Sequence, residues 1–224
     1  KEQCAALGDF LPNWDRLKAK GHVLPTPEGA YGAYTIRSEF TMLTGVQRED
    51  LGPWAFNPYL LAAKHRIWSL ARFFSQLGYT TVCIHPYDKT FYQRDTVLQN
   101  LGFQQFIAID GLRHLVHFGP YVSDIALAEV VNEYLAKELN PVFCFIITME
   151  SHGPWLEDRL SGEQLSRTLG ALANSPLFRL KEYMYLAHLK RMDNMLGLLE
   201  NSFNAKSVAH RRSVWMYGDH LPFL

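Results

Sequence analysis

Three short apolar runs, each followed by side chains that can bind metal or phosphate, constrain the fold of this chain most. The runs cover residues 79–84, 142–149 and 214–217. All three are near strand length and rich in β-branched and aromatic residues, as buried β-strands are. The polar residues that follow them are His85, His152 and the pair Asp219-His220. Ligands bind at the carboxyl ends of strands in open α/β sheets, so we expect one polar or metal site there.

Each of these polar groups also has an ordinary structural role. A single histidine after a strand is more often a loop residue with satisfied hydrogen bonds than a ligand. Asp219 can also cap the element that follows it. The site hypothesis therefore depends on three strand ends that carry such residues together.

Helical patterns separate the strands. Apolar residues recur at helical spacing over residues 11–20, 35–44, 62–77, 97–101, 123–139 and 178–203, and a short strand is predicted over 104–109. This alternation predicts an α/β fold with a largely parallel sheet. Asp193, inside the last predicted helix, is interpreted as a solvated side chain without a catalytic role.

Thr35 stands at or near the start of the second predicted helix. A hydroxyl there ordinarily caps the helix by accepting an amide hydrogen bond. The same position suits a nucleophile, because the positive end of the helix dipole and a nearby metal ease the hydroxyl toward an alkoxide. The free amides can also hold phosphate oxygens. The pattern alone favours capping.

Composition limits the classes of partner. The 224 residues suffice for one sizeable domain, and Lys plus Arg equal Asp plus Glu at 22 each. No strong positive field attracts nucleic acid, and we expect no such partner. Cys4, Cys83 and Cys144 lack metal-type spacing, and their odd number argues against a complete disulfide framework. The sequence stops just past Asp219-His220, so we expect a fragment of a longer protein.

Five motifs, in order along nearly the whole chain, resemble the lipoteichoic acid synthase-like branch of the sulfatase/alkaline phosphatase superfamily. They are residues 11–17 (LPNWDRL), residues 35–45 (TIRSEF followed by LTG), the set His85, Tyr92 and Arg94, residues 148–154 (TMESHGP) and residues 217–220 (YGDH). The resemblance implies an alkaline phosphatase-like three-layer sandwich with a mostly parallel central sheet, incomplete at both ends. It also implies one sulfatase-like catalytic domain over residues 1–224.

The resemblance implies a catalytic and metal-binding set. Thr35 would be the nucleophile and a metal ligand, and His152 would be catalytic. Asp219 and His220 would be further ligands of a divalent cation, expected to be Mn²⁺, with Mg²⁺ and Zn²⁺ as alternatives. Thr35 would attack a phosphodiester, form a phosphothreonine ester and pass the group to an acceptor hydroxyl.

The resemblance also implies that His85, Tyr92 and Arg94 bind the substrate. Tyr92 stands where a Trp is common in the family, which would alter acceptor binding. The family has a further acidic metal ligand on an earlier strand that this sequence lacks. Glu2 is a formal candidate, but no apolar strand precedes it, so we leave it out. We therefore expect this chain alone to bind metal poorly and to be inactive.

The function implied is a metal-dependent phosphoryl-group transferase of the phosphoglycerol transferase type. Its partners would be a phospholipid or phosphodiester donor and a glycan or lipid acceptor of the bacterial cell envelope. The catalytic domain would lie outside the cytoplasmic membrane. Because no run in the sequence is long enough to span a bilayer, the membrane would be reached only through parts of the protein outside this chain.

Two other functions remain open. A sulfatase or phosphodiesterase of the same superfamily is the first, although a formylglycine sulfatase needs Cys or Ser in a C/S-x-P-x-R context that none of the three cysteines has. The second is a degenerate, non-catalytic binding module. The retention of all the motif residues together counts against that reading.

Overall fold

The computed structural model describes residues 7–23, 34–156, 158–205 and 212–220. Cys4 and Glu2 lie outside these ranges. Within the part of the chain that is described, no helix is both long enough and apolar enough to cross a lipid bilayer.

A three-stranded parallel sheet carries the fold. Its strands are β1 (Thr80–Ile84), β2 (Gln105–Ile107) and β5 (Val142–Ile146), in the order β2-β1-β5. Ile84 pairs with Ile107 and with Ile146, so the carboxyl ends of the strands lie level at one edge. The prediction of an α/β fold with a parallel sheet is confirmed. A separate antiparallel hairpin consists of β3 (His117–Phe118) and β4 (Tyr121–Val122).

Helices surround the sheet on both faces. They are α1 (Pro12–Lys20), α2 (Thr35–Thr44), α3 (Tyr59–Ala62), α4 (Leu70–Gln76), α5 (Arg94–Leu101), α6 (Ile109–Leu112), α7 (Asp124–Lys137), α8 (Gly162–Leu169) and α9 (Leu180–Ala205), with 3₁₀ turns over Arg48–Trp54, Phe91–Gln93 and Gly170–Asn174. Cys83 of β1 packs in one core cluster with Phe40 of α2. Val82 and Ile84 face the other way and pack with Leu127 of α7. This period-two alternation places helices on both faces of a small sheet, in the three-layer arrangement that the resemblance implies.

The helix predicted over residues 62–77 is wrong in its extent, because the chain breaks between α3 and α4. Ser69 takes an extended backbone conformation and its hydroxyl accepts from the Arg72 amide at 3.2 Å, which starts a new helix. The same hydroxyl donates to the carbonyl of Leu101. A buried capping serine thus outweighs the continuous helical spacing.

The strand predicted over residues 214–217 is also wrong. These residues have no regular structure, and Val214 and Trp215 are 58% and 70% exposed. Strand propensity gives a strand only where a neighbour supplies ladder hydrogen bonds, and no described strand pairs with these residues. Helix α2 holds the end of this segment instead, since Ser38 Oγ donates to the Asp219 carbonyl at 2.5 Å.

Asp193 is buried, contrary to its interpretation as solvated. Its side chain is 0% exposed and accepts hydrogen bonds from the backbone amides of Asn13 at 3.3 Å and Trp14 at 2.7 Å. The first amides of a helix have no partner within the helix. Asp193 of α9 therefore satisfies the amino terminus of α1, a contact across 180 residues of sequence.

Candidate functional site

Helix α2 begins at Thr35, directly after the N-cap residue Tyr34. The Thr35 hydroxyl makes no capping bond; it donates to Asp219 Oδ2 at 2.7 Å. The capping role that the sequence pattern favoured for Thr35 is therefore wrong. The amino terminus of this ten-residue helix directs its first backbone amides and a positive dipole end toward the same region. The arrangement suits a nucleophile that attacks an anion.

Asp219 and His220 complete a compact group with Thr35. His220 Nε2 lies 3.4 Å from Asp219 Oδ2, the oxygen that also accepts from Thr35. A carboxylate, an imidazole and a hydroxyl together are donors that bind Mn²⁺, Zn²⁺ and related divalent ions. No cluster of three or more His, Cys, Asp or Glu side chains able to hold a metal occurs among the described residues. The three side chains are of the types that bind a divalent cation, and metal binding by them stays a prediction.

His85 follows β1 at the carboxyl edge of the sheet and is buried. Its Nδ1 lies 3.1 Å from the Ile147 carbonyl. Because a carbonyl only accepts, Nδ1 carries the proton and Nε2 keeps its lone pair. Burial, aided by the charge of Arg94, lowers the pKa of His85 to about 3. His85 is therefore neutral at physiological pH.

Arg94, the first residue of α5, is buried and paired with Glu39 of α2. Its Nη2 donates to Glu39 Oε1 at 2.9 Å, and the Tyr59 hydroxyl donates to the other carboxylate oxygen. Arg94 Nε is buried and has no partner in the described part of the chain. Sequence reasoning missed Glu39, although it stands four residues after Thr35 on the otherwise apolar, buried face of α2.

Tyr92 lies beside this ion pair. Its ring centroid is 5.4 Å from the Arg94 guanidinium carbon. Tyr92 and Gln93 have φ angles of 58° and 55°, in the left-handed region that non-glycine residues rarely adopt. Two such residues in a row store backbone strain, which concentrates at functional sites. The strained turn sets Tyr92 against Arg94 just before α5 begins.

His152 stands in the loop after β5 and is exposed. Its Nδ1 lies 2.6 Å from the Gly153 carbonyl, so Nδ1 carries the proton and Nε2 is left as the acceptor. The Tyr121 ring meets the imidazole edge-on at a centroid distance of 6.0 Å. An exposed imidazole with a free Nε2 can exchange protons with a substrate or water.

The predicted site residues thus fall into three groups. Direct contacts join Thr35, Asp219 and His220. Glu39 links Arg94 to α2 one helical turn from Thr35, and both Arg94 and His152 are close enough to His85 for their charges to depress its pKa. His152 forms the exposed group at the edge. The catalytic, metal and substrate roles of these residues stay predictions.

Residues 5–224 match the sulfatase family model. The chain belongs to the sulfatase family. This sulfatase-family chain is 34% identical over 220 residues to the capsular polysaccharide biosynthesis protein RkpI of Rhizobium meliloti, a match that spans 96% of the chain and 37% of that protein. It is 26% identical over 194 residues to the lipoteichoic acid synthase of Staphylococcus saprophyticus, spanning 83% of the chain and 27% of that synthase. The chain therefore spans less than half the length of these two curated relatives.

A solved structure shares the sulfatase-family fold. The Streptococcus pyogenes phosphoglycerol transferase GacH, in complex with sn-glycerol-1-phosphate, superimposes with a TM-score of 0.62 at 22% sequence identity. That match covers 85% of this chain and 50% of GacH. The family-model match and the similarity to the lipoteichoic acid synthase confirm the expected membership in the lipoteichoic acid synthase-like branch of the alkaline phosphatase superfamily.

Proposed function

We propose that this chain carries the active site of a metal-dependent phosphotransferase of the phosphoglycerol transferase type, acting through a phosphothreonine intermediate. The observation that carries the proposal is the 2.7 Å hydrogen bond from Thr35 Oγ1 to Asp219 Oδ2 at the amino terminus of α2. A carboxylate that accepts from a hydroxyl raises the electron density on the hydroxyl oxygen. The neighbouring helix amides can hold the oxygens of the phosphoryl group being attacked.

The first half of the reaction forms the threonine ester. The Thr35 oxygen attacks phosphorus, and its proton leaves toward Asp219, which already accepts it as a hydrogen bond. The bond from phosphorus to the donor's alcohol oxygen breaks, and that alcohol leaves with the proton taken from Thr35, which Asp219 passes on directly or through water. Thr35, Asp219 and His220 would hold the divalent cation, whose Lewis acidity lowers the pKa of the hydroxyl.

In the second half, His152 is the base. Its Nε2 takes the proton of the acceptor hydroxyl, which attacks the phosphothreonine and breaks the bond from phosphorus to the Thr35 oxygen. The released Thr35 oxygen then takes up that proton from His152, directly or through water. His85 stays neutral through this cycle, so its Nε2 suits an accepted hydrogen bond from a substrate hydroxyl better than a donated bond to phosphate. Arg94 donates from Nη2 to Glu39, and its other N–H groups would serve a substrate oxygen.

The substrates we propose are a phospholipid or other phosphodiester donor and a glycan or lipid acceptor of the bacterial cell envelope. Two names among the similar proteins support this choice, a capsular polysaccharide biosynthesis protein and a lipoteichoic acid synthase. The catalytic domain would act outside the cytoplasmic membrane, and Mn²⁺ is the cation we expect. Any membrane attachment would come from parts of the protein outside this chain.

Hydrolysis is the second candidate. The exposure of His152 favours it, because water can reach the same Nε2 that would activate an acceptor hydroxyl. The product would then be a free phosphate ester, with Thr35 regenerated. The two reactions share their first half and differ only in what attacks the phosphothreonine.

Trapping the intermediate tests the proposal. The full-length protein is incubated with Mn²⁺ and phosphatidylglycerol and then digested. Mass spectrometry gives the mass of the peptide that contains Thr35. A glycerol-phosphate adduct that Thr35→Ala abolishes is the expected result. Thr44→Ala is the matched control. The Thr44 hydroxyl lies on the same helix, and among the described residues it donates to the Phe40 carbonyl at 2.7 Å and accepts from the Val46 amide. Absence of the adduct would contradict the phosphothreonine intermediate. Release of phosphate or sulfate from aryl esters, with no acceptor present, would favour the hydrolase.

A further inference from the structure

One guanidinium holds the loop that carries His152. Arg159 Nη1 donates to the carbonyls of His152 at 2.5 Å and Pro154 at 3.0 Å, and its Nη2 donates to the Glu150 carbonyl at 2.7 Å. Charge-assisted bonds of this kind are stronger than those between neutral groups. Three of the five peptide carbonyls from residue 150 to residue 154 therefore point at one side chain.

The β3–β4 hairpin fixes Arg159 in turn. The Tyr121 ring centroid lies 5.3 Å from the Arg159 guanidinium carbon, within the range of a cation–π contact. The turn residue Gly119 has a φ of 65°, and a Cβ built there would approach Arg159 Cγ to 3.3 Å. Tyr121 also meets the His152 ring. The hairpin thus contacts both the arginine and the histidine.

A second anchor holds the start of the same loop from inside. The buried Glu150 carboxylate accepts from the Asp124 amide at 2.7 Å and from Arg191 Nε at 2.6 Å. Arg191 also donates to Ser123 Oγ at 2.6 Å, at the start of α7. Helices α7 and α9 therefore fix residue 150, and Arg159 is left to fix the residues that follow it.

The carbonyls that Arg159 binds flank the one that orients His152. The Gly153 carbonyl accepts from His152 Nδ1, and Arg159 holds the carbonyls of His152 and Pro154 on either side of it. Fixing these peptide planes fixes the direction of the Gly153 carbonyl. That direction keeps the proton on Nδ1 and leaves Nε2 free. We propose that Arg159 is a positioning residue, which holds His152 in the tautomer and place needed for proton transfer; this inference rests on the proposed function.

Direct binding of phosphate by Arg159 is the rival role, and the geometry disfavours it. Both terminal nitrogens are engaged by backbone carbonyls, and the remaining Nε is buried. A phosphate would have to displace loop contacts to reach the guanidinium. The two roles predict different kinetics, because a lost phosphate ligand raises KM whereas a misplaced base lowers kcat.

The experiment compares Arg159→Met with Arg159→Lys in the full-length protein, using phosphatidylglycerol and Mn²⁺ as probes. We expect kcat to fall roughly 100-fold in Arg159→Met with KM for the donor nearly unchanged, since a small misplacement of a catalytic group costs about that much. Arg159→Lys should recover part of kcat. Arg167→Met on α8, whose guanidinium pairs only with the exposed Glu163 among the described residues, is the matched control and should leave kcat unchanged.

Two further measurements decide the proposal. Combining Arg159→Met with His152→Ala should cost no more than His152→Ala alone, because Arg159 acts through His152. The proposal would be overturned if the two substitutions lowered kcat additively, or if Arg159→Met raised KM and left kcat unchanged. Hydrogen–deuterium exchange should speed up at residues 150–154 in both Arg159 variants, and unchanged exchange would overturn it too. Hydrogen–deuterium exchange does not require an active enzyme. If the wild type had no transferase activity, the proposed function would be refuted, and the exchange rates would still test the loop contacts of Arg159.

Discussion

Glu39 and Arg94 form a buried ion pair, 2.9 Å between Glu39 Oε1 and Arg94 Nη2, that ties the helix bearing Thr35 to the strained turn bearing Tyr92. Both side chains are almost wholly buried. The pair also receives the Tyr59 hydroxyl on the second carboxylate oxygen. This buried ion pair holds together two segments of the candidate site that are 55 residues apart in sequence.

Glu39→Ala should destabilise the protein strongly. Removing one member of a buried pair leaves the other charge without a partner, which costs about 3–5 kcal/mol. Denaturant unfolding monitored by circular dichroism measures the change. The matched control is Glu163→Ala, which removes the carboxylate of an exposed pair with Arg167 and should alter stability little. Equal losses of unfolding free energy in the two variants would show that the buried Glu39–Arg94 pair stabilises the protein no more than an exposed pair does.

Local signals made much of the fold predictable. Helix α2 has the predicted bounds, residues 35–44, because apolar spacing sets its buried face and Gly45, with a φ of 74°, ends it. Strands β1 and β5 follow from apolar β-branched runs. These features depend on residues that are neighbours in sequence.

Long-range polar contacts were not predictable in the same way. The local sequence does not predict that Glu39 pairs with Arg94, or that Asp193 accepts from the amides of α1. The residues around a charged side chain in sequence do not specify its distant hydrogen-bond partner. The three carbonyls bound by Arg159 likewise depend on the shape of a loop. The motif residues of the candidate site could be named from the family resemblance, whereas the residues that support them required the structure.

Asp219→Asn should weaken metal binding and abolish the Thr35 adduct. The amide lacks the negative charge of the carboxylate and accepts only weakly from Thr35, so both the cation and the nucleophile lose a partner. Mn²⁺ affinity of the full-length protein, measured by isothermal titration calorimetry, should fall by at least the ~10-fold that loss of an outer-shell partner costs. Asp88→Asn, in an exposed turn, should leave both readouts intact. Undiminished Mn²⁺ affinity in Asp219→Asn would remove Asp219 from the proposed ligand set.

His85 should reduce stability in acid. Its pKa is lowered to about 3 in the folded protein from an ordinary 6.5, so the unfolded chain binds a proton that the folded chain refuses between these values. The contribution of His85 to stability is complete above pH 6.5 and is lost as pH falls toward 3. His85→Asn, which can still donate an amide to the Ile147 carbonyl, should flatten the stability profile in that window. A profile identical to that of the wild type would contradict a neutral, buried His85.

Asp124 should act in the opposite direction. Burial, together with the charge of Glu150, raises the pKa of Asp124 to about 8, so the folded protein keeps a proton that the unfolded chain releases above its ordinary value of 3.8. The contribution of Asp124 is therefore complete below pH 3.8 and is lost as pH rises toward 8, by an amount on the order of a few kcal/mol. Asp124→Asn cannot ionise and should gain stability relative to the wild type across this window, measured as the difference in unfolding free energy at pH 5 and pH 8. Asp110→Asn, whose carboxylate is exposed, is the control and should show no such divergence. Since Asp124 Oδ1 also accepts from the Glu150 backbone amide at 3.4 Å, an equal loss of stability at both pH values would mean that the side chain matters for this contact and its packing rather than for its proton.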